Sequence, residues 1–575
     1  MKNLLKYLKP YVKESILAPF FKMLEAIFEL MVPLVMSAII DTGIKNSDKP
    51  FIYKMVLVLV ALALVGFISA VTAQYFAAKA AMYFGKEVRS DLYRHINSLS
   101  YSEIDSLGTS TLIARLTSDV NQAQTAVNLF LRLFLRSPFI VIGATVMAFT
   151  VDKKVATIFA VSVPLLAVVV FAVMFGSVPI FKKVQSKLDK VLKITRENLA
   201  GVRVIRAFNR QEQEVDEFEN DSVELQKAQL YGGRINALLN PITYVIVNVA
   251  ILLIIYSGGL RVNSGNLTQG EVVALINYMS QVLVELVKLA NLIINLTKSM
   301  ASGSRISAVF AVKPSLEDGD KTAEKSDCPA VEFDDVSITY GGSKEKSLDS
   351  LNLSVPVGAT VGIIGGTGSG KTTLVNLIPR FYDVTEGSVK VNGTDVREWK
   401  QEELRKRVGV VPQKSVLFRG TVRDNMKWGK EDATDSEIAE ALQIAQAADF
   451  IAAKDGLDTD VQQDGRNFSG GQRQRLTIAR ALVRKPEILI LDDSASALDF
   501  ATDAALRKAI HNSTDGMTVF IVSQRASTVK SADMIIVLDD GEVTGIGKHD
   551  ELYENCEVYR EICLSQLYSQ EGATK

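Results

Sequence analysis

The sequence predicts a six-span α-helical transmembrane domain followed by an α/β domain built around a phosphate-binding loop. Three observations predict it. Apolar stretches long enough to cross a bilayer are confined to the first 300 residues. From Val331 onward, short β-rich runs such as Thr360–Ile364, Val408–Val411, Ile488–Leu491 and Val519–Val522 alternate with helical patterns, as in an α/β domain with a largely parallel sheet. A GxxxxGK[ST] sequence joins one of those runs to a helical one.

A bilayer core is ~30 Å thick, so a spanning helix needs about 20 apolar residues. Six stretches qualify: Ser15–Ile40, Phe51–Ala78, Val127–Val151, Val155–Val178, Ile235–Val262 and Glu271–Ser299. The links 41–50, 152–154 and 263–270 are short, whereas 79–126 and 179–234 are long and polar. The second long link carries Lys182, Lys183, Lys187, Arg196, Arg203 and Arg206 among other bases, and positive charge marks the cytosolic side. The short links are therefore expected outside and both termini inside. The long links are read as helices running on past the membrane. Met1–Lys13 is basic and interrupted by Pro10, which fits an interfacial helix better than a signal peptide.

The 575 residues carry a formal net charge of −1, which offers no electrostatic footprint for nucleic acid. Cys328, Cys556 and Cys563 form no CxxC pair, so neither a zinc site nor a disulfide framework is indicated. The expected organisation is a membrane domain over 1–313, a polar linker over 314–330 and a nucleotide-binding domain over 331–575, with no internal repeat.

Gly365-Gly366-Thr367-Gly368-Ser369-Gly370-Lys371-Thr372 follows the apolar run Val361–Ile364 and precedes the helical stretch beginning at Thr373. Glycines let the backbone curl so that N–H groups point at phosphate oxygens, and the helix start adds a positive dipole end. Lys371 is expected to reach the β- and γ-phosphates of ATP, and the Thr372 hydroxyl to ligate Mg²⁺. Ile488–Leu491 is a continuous apolar strand ending in Asp492. A carboxylate there sits where open α/β sheets bind ligands and is expected on Mg²⁺.

Asn467-Phe468-Ser469-Gly470-Gly471-Gln472, upstream of Asp492, resembles the LSGGQ signature of ABC ATPases, with Phe in place of Leu. With the six spans, the whole chain resembles an ABC exporter half-transporter of the type IV fold. The resemblance implies further roles. Tyr340 is similar to the aromatic that stacks on adenine. Gln413 resembles the Q-loop glutamine that senses Mg²⁺. Ser496–Asp499 resembles the D-loop. Gly108–Asp119 and Glu197–Phe208 resemble the two coupling segments. It also implies composite sites, in which Ser469, Gly470 and Gly471 clamp a γ-phosphate held by a second ATPase domain.

Two positions depart from the family pattern. The catalytic base is a Glu directly after the Mg²⁺ aspartate; here it is Asp493, one methylene shorter. The switch-loop His is replaced by Gln524, which donates a hydrogen bond but carries no charge or proton. Both fall on catalytic positions while the phosphate loop, Asp492 and the signature stay intact. The pattern resembles the degenerate half of a heterodimeric bacterial multidrug exporter: a plasma-membrane subunit that needs a non-identical partner and moves amphipathic compounds. Alternatives are a homodimeric lipid or drug flippase, or an ATP-binding regulatory subunit.

Ionisable residues also punctuate the spans. Glu25 and Glu29 lie one turn apart, with Lys22 close by, and Glu285, Lys288, Asn291 and Asn295 lie on the sixth stretch. Such groups are costly in a membrane and face a cavity or a partner. They are read either as local Lys22–Glu25 and Glu285–Lys288 pairs or as a polar patch on the substrate pathway.

Overall fold

A computed structural model describes residues 2–322, 328–341, 343, 345–513 and 516–572. The middle of the expected linker, 323–327, lies outside the described residues. The chain divides into two compact units: Met1–Asn97 with Ser110–Val312, and Ser98–Thr109 with Lys313–Lys575.

Among the described residues six helices are long and apolar enough to cross a membrane: Leu4–Ile44, Lys49–Ser98, Thr109–Val151, Lys153–Ala200, Gln211–Asn263 and Gln269–Ala311. All six expected spans lie within them. The second and fourth continue into the long polar links, as anticipated. The 48-residue helix Lys153–Ala200 starts where Asp152 accepts hydrogen bonds from the Lys154 and Val155 amides, both at 2.9 Å. That cap satisfies donors a helix start leaves orphaned, and Arg261 Nε also donates to Asp152, at 2.8 Å.

The interior of the first unit alternates bulk with small residues. Ala26, Ala144, Ala148, Ala156 and Ala274 are buried beside Phe159, Leu166, Ile254, Leu275 and Tyr278. Small side chains let helices approach closely in an apolar solvent, where packing replaces the hydrophobic effect as the driving force. The buried Tyr278 hydroxyl donates to the Leu30 carbonyl at 2.7 Å, joining the sixth helix to the first. Nearer the short link that follows the first helix, the same two helices meet through Asp41, which accepts from the Gly270 amide at 2.8 Å and the Thr268 hydroxyl at 2.6 Å. Gly270 is needed there, since a Cβ would lie 2.4 Å from the Ser37 carbonyl.

The intramembrane charges do more than pair locally. Lys22–Glu25 and Lys288–Glu285 do form. Arg136, which the sequence reading passed over, draws three helices together: its guanidinium donates to Glu285 and to Glu29, each at 2.6 Å, and lies 3.8 Å from Glu25. The Ser137 hydroxyl occupies the other oxygen of Glu285 at 2.8 Å.

The described residues of the second unit hold twelve strands. They are β1 (Val331–Ile338), β2 (Leu348–Val355), β3 (Thr360–Gly365), β4 (Glu386–Val391), β5 (Thr394–Asp395), β6 (Val408–Val411), β7 (Gly420–Thr421), β8 (Asp460–Val461), β9 (Ile488–Asp492), β10 (Thr518–Val522), β11 (Met534–Asp539) and β12 (Glu542–Gly547). The main sheet runs β12-β11-β3-β10-β9-β6. It is parallel throughout except at the β11–β12 edge. An antiparallel sheet, β2-β1-β4-β5, accompanies it. β9 and β10 are buried along their whole length, which explains their unbroken apolar sequence. Trp399 is fully buried in the core beneath both sheets. Trp399→Ala is expected to destabilise this unit by about 3–5 kcal/mol, read from the shift of its denaturation midpoint.

Near the first expected coupling segment the compact units divide at other residues than the expected domains. The sequence placed 1–313 in one domain and the segment at Gly108–Asp119. In the structure the helix Tyr101–Leu107, just upstream, belongs to the second unit, and Gly108 ends it with φ 76°. The Tyr101 ring meets Phe381 at a tilt with ring centroids 4.7 Å apart, and Tyr382 donates to Asp105 at 2.8 Å. The second segment forms the helix Val202–Ala207, with Val204 and Phe208 exposed.

Candidate functional site

The parallel register assembles the site. β10 lies between β3 and β9, with Val522 level with both Ile363 and Asp492. The loops leaving β3, β9 and β10 therefore emerge side by side at one end of the sheet, where doubly wound sheets bind ligands. They carry respectively 366–370, Asp493 and Ser523-Gln524.

Gly368 and Gly370 adopt φ of 88° and 92°, a region that residues with a Cβ resist. Gly365 permits close packing, since a Cβ there would lie 2.1 Å from the Leu538 carbonyl. The loop closes around Lys371, whose buried ammonium donates to the carbonyls of Gly365 at 3.0 Å and Gly366 at 2.5 Å. The Ser369 hydroxyl is 3.3 Å from the same nitrogen. Thr372 Oγ1 is 3.1 Å from both carboxylate oxygens of the buried Asp492. Burial lowers the Lys371 pKa, against the pull of Asp493 and Asp492. It raises that of Asp492, a shift that Thr372 opposes.

A cavity of about 240 Å³ opens over this group, lined by Thr367, Lys371, Thr372, Gln413, Asp492, Asp493 and Gln524 among others. Both departures from the family pattern thus sit in the cavity with the intact phosphate loop. Asp493 takes φ 46° in the turn after β9, and Gln413 Nε2 reaches its carboxylate at 3.4 Å. Gln524 offers its side chain to the cavity while its backbone carbonyl accepts from Gln566 at 2.7 Å.

The remaining predicted residues fall into two groups. Tyr340 and Thr373 stand beside the loop, where the Tyr340 hydroxyl donates to Thr373 at 3.2 Å and its ring meets Tyr382 edge-on at 5.0 Å. Phe468, Ser469, Gly470, Gly471 and Gln472 do not line the cavity. Ser469 caps the helix Gly470–Leu482 through a reciprocal pair with Gln472, the arrangement that exposes amide donors to an anion. Phe468 is buried in the core and shapes the turn by packing. Asp499 caps the helix Phe500–Ser513 by accepting from the Thr502 amide at 2.8 Å. Asp105 and Tyr382 were missed, because nothing local in the sequence marks a contact 277 residues apart.

A membrane-spanning six-helix unit joined to an α/β unit with a phosphate loop defines an ATP-binding membrane transporter. The chain belongs to the ABC transporter family: residues 15–286 match the ABC transporter transmembrane region and residues 348–496 the ABC transporter domain. It is 36% identical over 575 residues, the full length of both chains, to the uncharacterized ABC transporter ATP-binding protein YfiB of Bacillus subtilis (strain 168). It is 36% identical over 452 residues, 77% of this chain and 78% of the other, to the ATP-dependent lipid A-core flippase of Desulfotalea psychrophila. Its fold is that of a bacterial Atm1-family ABC exporter solved with ATP bound. That match has a TM-score of 0.79 at 23% identity and covers 97% of this chain and 98% of that one.

Proposed function

We propose that this chain is one half of an ATP-driven exporter of apolar or amphipathic compounds in the plasma membrane. Its own nucleotide site binds ATP but hydrolyses it slowly, and a non-identical half supplies the productive site. The observation that carries the reading is the cavity itself, where Asp493 and Gln524 stand beside an intact Lys371, Thr372 and Asp492.

The residues fit magnesium nucleotide. Thr372 and Asp492 offer adjacent hard oxygens, with the Gln413 amide in the same cavity, and these residues would hold Mg²⁺, which would supply positive charge against the phosphates. Lys371 would exchange its carbonyl partners for phosphate oxygens, helped by the loop amides. The D-loop residue Asp499 and signature residues Ser469–Gln472 would face the partner's nucleotide, with Tyr340 against adenine. Closure of two ATPase domains would then drive the helices Tyr101–Leu107 and Val202–Ala207, and with them the spans, from inward to outward access. The basic second link supports a cytosolic ATPase domain and cytosolic termini.

A pH dependence follows. The Asp492 pKa is raised above the ordinary 3.8, so as pH falls its charge is lost earlier than an ordinary aspartate's. Burial penalises that charge, so Asp492 lowers stability at neutral pH, and the penalty lifts as pH falls through the raised pKa. Mg²⁺-dependent ATP affinity is therefore expected to fall on acidification from neutral while Mg²⁺-independent binding holds. Nucleotide titrations with and without Mg²⁺ across pH check this.

A second reading, a homodimeric lipid flippase, is favoured by the lipid A-core flippase among the relatives. ATPase assays in lipid separate the two. Near-zero turnover alone, restored by one partner half, supports the asymmetric exporter. Vigorous turnover by the chain alone, as a stable homodimer, supports the flippase.

A further inference from the structure

The charge network around Arg136 is balanced within itself, yet two of its members keep unused hydrogen-bonding capacity. Glu285, 2% exposed, is saturated by Arg136, Ser137 and Lys288. Glu29 spends one oxygen on Arg136 and leaves its side chain 38% exposed, while Lys288 spends one donor on Glu285 and remains 43% exposed. One negative and one positive end therefore face outward from a buried centre. Three hydrogen bonds of 2.6–2.7 Å link them through that centre, which holds them within about 10 Å of each other.

Depth strengthens the case. Glu29, Arg136 and Glu285 each lie about 15 residues, or ~22 Å, from the end of their span at a short link. In a core ~30 Å thick, that puts all three in the leaflet away from the short links. Apolar side chains beside them, Met31 and Val284, are exposed at 43% and 51%. A carboxylate oxygen and an ammonium amid apolar surface complement a head group carrying both charges on an apolar tail.

We infer that Glu29 and Lys288 form a head-group site for a zwitterionic amphiphile, whose ammonium meets Glu29 and whose anionic group meets Lys288. The inference rests on the exporter reading and names its substrate class. Loss of one charge-assisted hydrogen bond removes roughly 1.5–3 kcal/mol, on the order of tenfold or more in affinity.

The test uses the full chain, with its partner half if it needs one, in a neutral maltoside micelle without ATP. Binding is counted by native mass spectrometry for three probes of one chain length: lysophosphatidylethanolamine, lysophosphatidylglycerol and an alkyltrimethylammonium. The zwitterionic probe is expected to bind about tenfold tighter than the other two. Glu29→Gln should weaken the zwitterionic and cationic probes and spare the anionic one. Lys288→Gln should weaken the zwitterionic and anionic probes and spare the cationic one. Equal affinity of the unaltered protein for all three probes overturns the proposal, as does a ranking that both variants leave unchanged. The comparison on the unaltered protein needs no variant to fold. ATP hydrolysis measured alongside judges the exporter reading separately, since binding is read without nucleotide.

Discussion

Replacing Asp493 by Glu is expected to raise hydrolysis at this chain's own site by about 100-fold. The carboxylate now stands one methylene short of where the family places its base, and a misplacement of ~1 Å at a reacting group costs on that order. Space is available for the longer side chain, because Asp493 already lines the cavity and touches Gln413 at 3.4 Å. Gln524 limits the gain. It can orient a phosphate oxygen but neither accept nor carry a proton as the family's His can. Adding Gln524→His should therefore raise the rate further than either change alone, a coupling expected of residues in one site. The measurement is steady-state turnover in a complex whose partner site has been silenced at its own base.

The opposite change, Lys371→Ala, is expected to weaken ATP binding by about 100-fold. Lys371 is buried at the root of the loop, and its ammonium holds the Gly365 and Gly366 carbonyls. Its removal takes away the charge that meets the phosphates and frees the loop that presents the amides. Lys371→Arg should rescue little, because a planar fork does not fit a position built around a point charge. Equilibrium titration with a fluorescent nucleotide reads the effect directly. Binding of this size in the unaltered chain, beside slow turnover, is what separates a degenerate site from a dead one.

The parts of this protein legible in its sequence are those whose physics is local. Spanning helices announce themselves by length and hydropathy, and all six were found, although their polar extensions carry them far beyond the apolar windows: Lys153–Ala200 outruns Val155–Val178 by a long polar arm. The phosphate loop, Asp492, Asp493 and Gln524 were legible because each follows an apolar strand, and the parallel sheet then had to bring their loops together. What escaped was long-range pairing. Arg136 sits among Phe134, Leu135 and Phe139, with no acidic residue within a turn, and its carboxylates lie 107 and 149 residues away. The contact made by the helix Tyr101–Leu107 escaped because its partner Tyr382 is equally remote. Phe468 read as a contact to nucleotide because it stands in the signature, yet its ring is buried and packs edge-on against Phe450.

Asp493 and Gln524 line one cavity with Lys371, and the fate of ATP held by this chain reports on them. A photoreactive ATP analogue is bound to the turning-over complex, cross-linked, and the nucleotide on this chain identified. It is expected to remain a triphosphate over many turnovers of the complex, while the partner's converts to diphosphate. Conversion on this chain at the rate of the whole complex would mean that its own site is not impaired.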